Sequence, residues 1–98
     1  MGELEQKLRD IVIVDGVRVP IGRFGGSLKD FQVYELGAIV IREVLRRTNI
    51  DPADVDEVVF SHTRQDGNGT NPGRTALLMA GIPYHVPAHT TNQVCATG

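Results

Sequence analysis

An unbroken β-branched run, Ile11, Val12, Ile13 and Val14, constrains this chain more than any other feature. A strand with one wet face shows an apolar residue at every second position. This run is apolar at each one, which suits a strand buried on both faces, as in a parallel sheet. The stretch after it, from Gly16 to Ser27, holds Pro20 and Gly22, Gly25 and Gly26, a composition for a loop rather than a helix or strand.

Past Asp30 the period changes. Val33, Leu36, Val40, Ile41, Val44 and Leu45 recur three and four residues apart, which predicts a helix with one apolar stripe. Asp30 is the expected N-cap. Arg46 and Arg47 suit the negative end of the helix dipole, and Asn49 suits the left-handed residue that closes the helix near Thr48. Asp51-Pro52 predicts one short turn before a strand at Val58, Val59 and Phe60. Asn71-Pro72 predicts N-cap and N1 of a second helix running to Ala80, with Gly81 as its stop. Pro83 and Pro87 then lead into a third strand, His89 to Val94, with Cys95 at its end. The predicted order is βαβαβ, an α/β layered architecture with a mainly parallel sheet.

The whole sequence is 98 residues, 41% hydrophobic and 22% charged, enough for one domain at most and a thin core. Ten Lys plus Arg against twelve Asp plus Glu give a net charge of -2, without the basic excess that nucleic acid or an anionic membrane selects. The longest apolar runs, Ile11 to Val14 and Gly37 to Ile41, fall far short of the roughly 20 residues that cross a bilayer. MGELEQKLRD carries no apolar signal core and no Arg-rich transit pattern, and Gln6 does not fit a myristoylation motif. With a lone cysteine, Cys95, these features point to a reducing, cytoplasmic setting.

Several motifs come close to known chemistry and fail on spacing. GRFGGSLK lacks the Gly-Lys-Ser/Thr triplet of a phosphate loop. Gly67, Gly69 and Gly73 miss the dinucleotide fingerprint by one residue, and no acid follows where the ribose contact belongs. Asp66, Asn68 and Thr70 begin like a calcium loop, but Asn71 and Leu77 occupy the Gly and Glu positions. His62, His85, His89 and Cys95 are acceptable zinc ligands, yet Pro87 separates two of the histidines and paired cysteines are absent, so no metal is expected.

Cys95 is the candidate nucleophile. A thiol at a strand end, followed by Ala96, Thr97 and Gly98, has the pattern of a strand-to-helix elbow. An ordinary thiol is only about 3% ionised at pH 7, so a helix N-terminus or a nearby imidazole is needed to favour the thiolate. The competing reading is a small buried hydrophobe.

RVPIGRFGGSLKD, YELGAIVIREVLRR, IDPADVDEVVF, NPGRTALLMAGIP and TTNQVCATG, in that order, resemble the N-terminal portion of thiolases, specifically acetyl-CoA acetyltransferases, from Ile11 to Gly98. NQVCATG is similar to the family's segment around its acyl-accepting cysteine, which places that role on Cys95. The resemblance implies an αβαβα layered fold of two similar halves, of which residues 1–98 would form an incomplete part of the first. It implies acyl transfer between coenzyme A thioesters through an acyl-cysteine, with acetyl-CoA and 3-ketoacyl-CoA as substrates and no resident cofactor. It leaves the residues that contact CoA unassigned in this chain. The activating histidine, the second catalytic cysteine and a Gly-His-Pro segment have no counterpart here, so the remaining thiolase polypeptide is an expected partner, as is a homodimer or homotetramer.

Two departures from the family pattern stand out. Asp15 and Gly16 replace a small or Ser-Ala pair, and SHTRQDGNGTN, in which Arg64 and Asp66 approach subunit contacts by resemblance, is more polar than its counterpart. The alternatives are a ketosynthase-type condensing enzyme and a non-catalytic subunit or structural fragment that completes a partner chain.

Overall fold

A computed structural model describes residues 9–64 and 69–98. The readings at the extreme N-terminus and at Asp66, Gly67 and Asn68 lie outside the described residues.

Helix α1 spans Val33–Thr48. Its cap is Gln32 rather than Asp30. The Gln32 carbonyl accepts the first helical N–H groups, from Glu35 at 3.0 Å and Leu36 at 3.2 Å, and the Glu35 carboxylate reaches back towards the Gln32 N–H. Asp30 instead belongs to the turns that follow the glycine-rich loop, held by Lys29 N–H on Gly26 O and Phe31 N–H on Leu28 O. At the other end Asn49 adopts φ 55°, the left-handed closure its side chain tolerates, and Thr48 Oγ1 donates to Val44 O at 2.7 Å. One 3₁₀ turn, Pro52–Asp54, follows, its start held by the Asp51 carboxylate accepting from Ala53 N–H.

Strand β1 is Val58–Ser61, helix α2 is Pro72–Met79 and strand β2 is Ala88–Thr91. The strands pair in parallel, with Val58 beside Ala88, Val59 beside His89, Phe60 beside Thr90 and Ser61 beside Thr91. They form a βαβ unit with α2 as crossover, as the alternating periods require. α1 and α2 pack on each other, and α2 also packs on both strands. Leu77, Ile82 and Val86 form the buried centre, with Ile41, Leu45, Val55, Val58 and Ala88 closing around it.

Two glycines set how tightly the layers meet. A Cβ on Gly73 would lie 2.6 Å from Phe60 Cβ and 3.1 Å from His89 O, so α2 crosses the strand pair at backbone distance. A Cβ on Gly37 would lie 2.5 Å from the ring end of the same side chain, at Phe60 Cε2. Phe60 thus fills a slot between the two helices, and bare backbone on both sides is what admits it.

The expected first strand does not form among the described residues. Ile11 to Val14 stand outside any ladder, with Ile11 97% and Ile13 96% exposed. The physical reason lies in the run's own character. A strand apolar on both faces needs a hydrogen-bonding neighbour and a covered layer on each side, and the described elements supply neither. The helices cover one face of the strand pair, and Val59 and His89 are exposed on the other. The third strand ends at Thr91 rather than Val94. Among the described residues no helix is long and apolar enough to cross a membrane.

Candidate functional site

Cys95 is exposed, on the loop that leaves the carboxyl end of parallel strand β2. Ligands in open α/β folds gather at that end of the strands. The chain turns there abruptly. Val94 takes φ 53°, a left-handed conformation that a β-branched residue adopts at a cost of roughly 1–3 kcal/mol. This kink lies three residues past the end of β2 and turns the chain immediately before Cys95.

Polar side chains hold the kink. The Val94 N–H donates to Asn92 Oδ1 at 2.8 Å, and the Val94 carbonyl accepts from Thr97 Oγ1 at 2.6 Å and Thr97 N–H at 3.1 Å. Thr97 Oγ1 in turn accepts from Gln93 N–H at 2.8 Å. A second pair of bonds crosses to the exit of β1. Asn92 Nδ2 donates to Thr63 O at 2.8 Å, and Thr63 Oγ1 donates to Val94 O at 3.2 Å. Each peptide group flanking the strained residue therefore has a partner, which is the condition for strain to persist.

Cys95 itself lies within a single 3₁₀ turn, Val94–Ala96. The helix dipole invoked to favour its thiolate is therefore not supplied by the described residues. His89 lies on the open face of β2 with Nδ1 3.1 Å from Glu57 Oε1, His85 meets Tyr84 edge to face with ring centroids 6.2 Å apart, and the His62 N–H extends the ladder to Thr91 O. Among the described residues no group of three metal-ligating side chains converges.

The β2 side of the site is held from beneath by α2. Asn71 caps α2 by accepting from Arg74 N–H at 3.1 Å, and its amide donates to Ala88 O at 3.1 Å. Thr90 Oγ1 donates to Asn71 Oδ1 at 2.7 Å and accepts from Gly73 N–H at 3.0 Å. The Arg74 guanidinium forks across Tyr84 O and Val86 O, 2.6 Å to each, fixing the connection that enters β2. Asn71 is legible in the sequence as a helix cap, but not as the tie between that helix and the strand carrying the cysteine loop. The parts played by Asn92 and Thr63 lie outside the sequence-based expectation. Asn92, two residues before Val94, had a legible signal as an Asx turn; Thr63 had none.

A groove of about 710 Å³ runs between Gly16–Pro20 and Ile39, Val40, Glu43 and Arg47 of α1. It shares no residue with the Cys95 loop. On its wall, hydrogen bonds from Arg46 and then Arg47 hold the Glu43 carboxyl down to about 2, from an ordinary 4.5.

A parallel βαβ unit that ends in an exposed cysteine on a strained elbow defines the class: an α/β protein with a thiol presented at the carboxyl edge of its sheet. The profile described as the thiolase N-terminal domain matches residues 11–98, and the chain belongs to the thiolase family. A Staphylococcus epidermidis protein named a probable acetyl-CoA acyltransferase is 47% identical over 88 residues, covering 90% of this chain and 22% of its own. A Staphylococcus aureus protein of the same name is 42% identical over the same span. The crystal structure of the Bacillus anthracis acetyl-CoA acetyltransferase superposes with a TM-score of 0.84 at 41% identity, over 89% of this chain and 22% of that one. The chain thus spans about a fifth of the length of these relatives.

Proposed function

We propose that residues 1–98 are an N-terminal, incomplete part of an acetyl-CoA C-acetyltransferase in which Cys95 carries the acyl group. The observation that supports this most is the coincidence of family membership with an exposed cysteine on the elbow after β2. The Cys95 thiolate attacks the thioester carbonyl carbon of acetyl-CoA. The tetrahedral oxyanion collapses, the carbon–sulfur bond to CoA breaks, and the CoA thiolate leaves and takes up a proton. The acyl group is then a thioester on Sγ, which divides one difficult exchange into two easier ones. In condensation the α-carbon of a second acetyl-CoA, having lost a proton, attacks this thioester carbonyl, the carbon–Sγ bond breaks, and acetoacetyl-CoA leaves with Cys95 returned as its thiolate. In the reverse direction CoA cleaves a 3-ketoacyl-CoA.

Within this reading Asn92, Thr97 and the left-handed Val94 present the thiol. The base that activates it, the group that moves the α-proton and the oxyanion donors come from the rest of the polypeptide, so the 98 residues alone do not turn over. The complete enzyme works as a homodimer or homotetramer in the cytoplasm, with CoA thioesters as substrates and no resident cofactor.

The test is denaturing mass spectrometry of the full-length enzyme after incubation with acetyl-CoA, with peptide mapping. An acetyl adduct on Cys95 that is missing from Cys95→Ala is the expected result. An adduct that survives that substitution, or maps elsewhere, overturns the assignment.

A further inference from the structure

We propose that Thr63 is a positioning residue for Cys95, acting through the carbonyl of Val94. The inference rests on the acyl-cysteine reading and adds a residue that neither the motif around the cysteine nor the family resemblance singles out.

Val94 at φ 53° is β-branched in a region that β-branched residues avoid, so its conformation is imposed from outside. The bonds from Asn92 and Thr97 lie within a few residues of it. They fix the shape of the loop and travel with it wherever it goes. The Thr63 hydroxyl differs in kind. It sits 31 residues earlier, just past the end of β1, and reaches the same Val94 carbonyl at 3.2 Å. It therefore fixes where the loop stands relative to the neighbouring strand.

Asn92 closes the pair from the opposite direction by donating to the Thr63 carbonyl at 2.8 Å. The two strand exits are laced together, and the Cys95 side chain leaves the backbone one residue beyond the lacing. The Val94 carbonyl already accepts from the Thr97 hydroxyl and N–H within the loop, and Thr63 adds a donor from the neighbouring strand exit.

Acyl transfer tolerates little displacement of the attacking sulfur, and a shift near 1 Å can cost about a hundredfold in rate. Loss of one exposed hydrogen bond, with the Asn92 lacing intact, loosens the loop less than that. The test uses the full-length enzyme and single-turnover acylation, read as CoA release and as the adduct on Cys95. Thr63→Val keeps the side chain's shape and removes the donor. It is expected to lower the acylation rate at saturating acetyl-CoA on the order of tenfold, leaving the half-saturating concentration and the melting temperature close to wild type. Thr63→Ser, which keeps the hydroxyl, is expected to return the rate to within about twofold of wild type. If Thr63→Val fails to fold, Thr63→Ala carries the same comparison.

A wild-type adduct on Cys95 with an unchanged rate in the hydroxyl-less variant overturns the positioning role and leaves the acyl-cysteine reading standing. So does a loss that Thr63→Ser fails to restore. No adduct on Cys95 in the wild-type enzyme overturns both.

Discussion

Gly73→Ala probes the closest contact in the fold. The added methyl group would lie 2.6 Å from Phe60 Cβ and 3.1 Å from both His89 O and Thr90 Oγ1. Neither the root of a side chain in a paired strand nor a strand carbonyl can rotate out of the way. The helix must lift instead, and overpacking of this kind costs about 1–3 kcal/mol. Lifting also stretches the 3.0 Å bond from Gly73 N–H to Thr90 Oγ1, worth about 1 kcal/mol. Against this, alanine is a better helix former than glycine by up to about 1 kcal/mol, and by less in the first turn. The balance is a destabilisation of about 2 kcal/mol, near a thirtyfold change in the folding equilibrium. Urea unfolding of the full-length enzyme measures it, with hydrogen exchange in α2 and β2 locating the loss. Gly16→Ala is the control, because an added Cβ there meets nothing within 4 Å. A Gly73→Ala enzyme as stable as wild type, with equal protection in α2, would refute the close approach of helix and sheet.

Two further substitutions test the electrostatics and the connection into β2. Glu43 has its carboxyl lowered to about 2 by hydrogen bonds from Arg46 and Arg47, so its ionised form is favoured in the folded chain. The stability it adds is complete above about pH 4.5 and is lost as pH falls towards 2, so the gap between wild type and Glu43→Gln in urea midpoint is expected to close over that window. A gap that stays constant across it would show that the ion pairs add nothing. Arg74→Ala removes a guanidinium that donates to both Tyr84 O and Val86 O, and is expected to cost about 1.5–3 kcal/mol and to raise amide exchange from Ile82 to Ala88. Unchanged exchange there would mean that the proline-flanked connection holds its own shape.

Elements specified by neighbouring residues were legible in advance. Asn49, Asp51-Pro52 and Asn71-Pro72 mark the ends of elements where the structure has them, because a cap is a bond between residues two to four positions apart. The stripe along α1 and the run at Val58 to Phe60 were legible for the same reason, since the period of apolar residues reflects one element's own geometry. The start of α1 was not. Asp30 and Gln32 can each begin a helix, and the turns after the glycine-rich loop decide between them.

By itself, then, the sequence determined the alternation of strands and helices, the caps and the likeness that singles out Cys95. Tertiary structure decided what needs partners from elsewhere in the chain. Ile11 to Val14 read as a strand but pair with nothing among the described residues, because a ladder is a relation between segments and no run of residues contains one. The slot for Phe60 exists only where Gly37 and Gly73 face it from separate helices. The elbow at Val94 survives its left-handed strain because Asn92, Thr97 and the distant Thr63 converge on the two peptide groups of one residue. That convergence arises when parallel pairing brings the two strand exits side by side, and it leaves Cys95 exposed at the edge of the sheet.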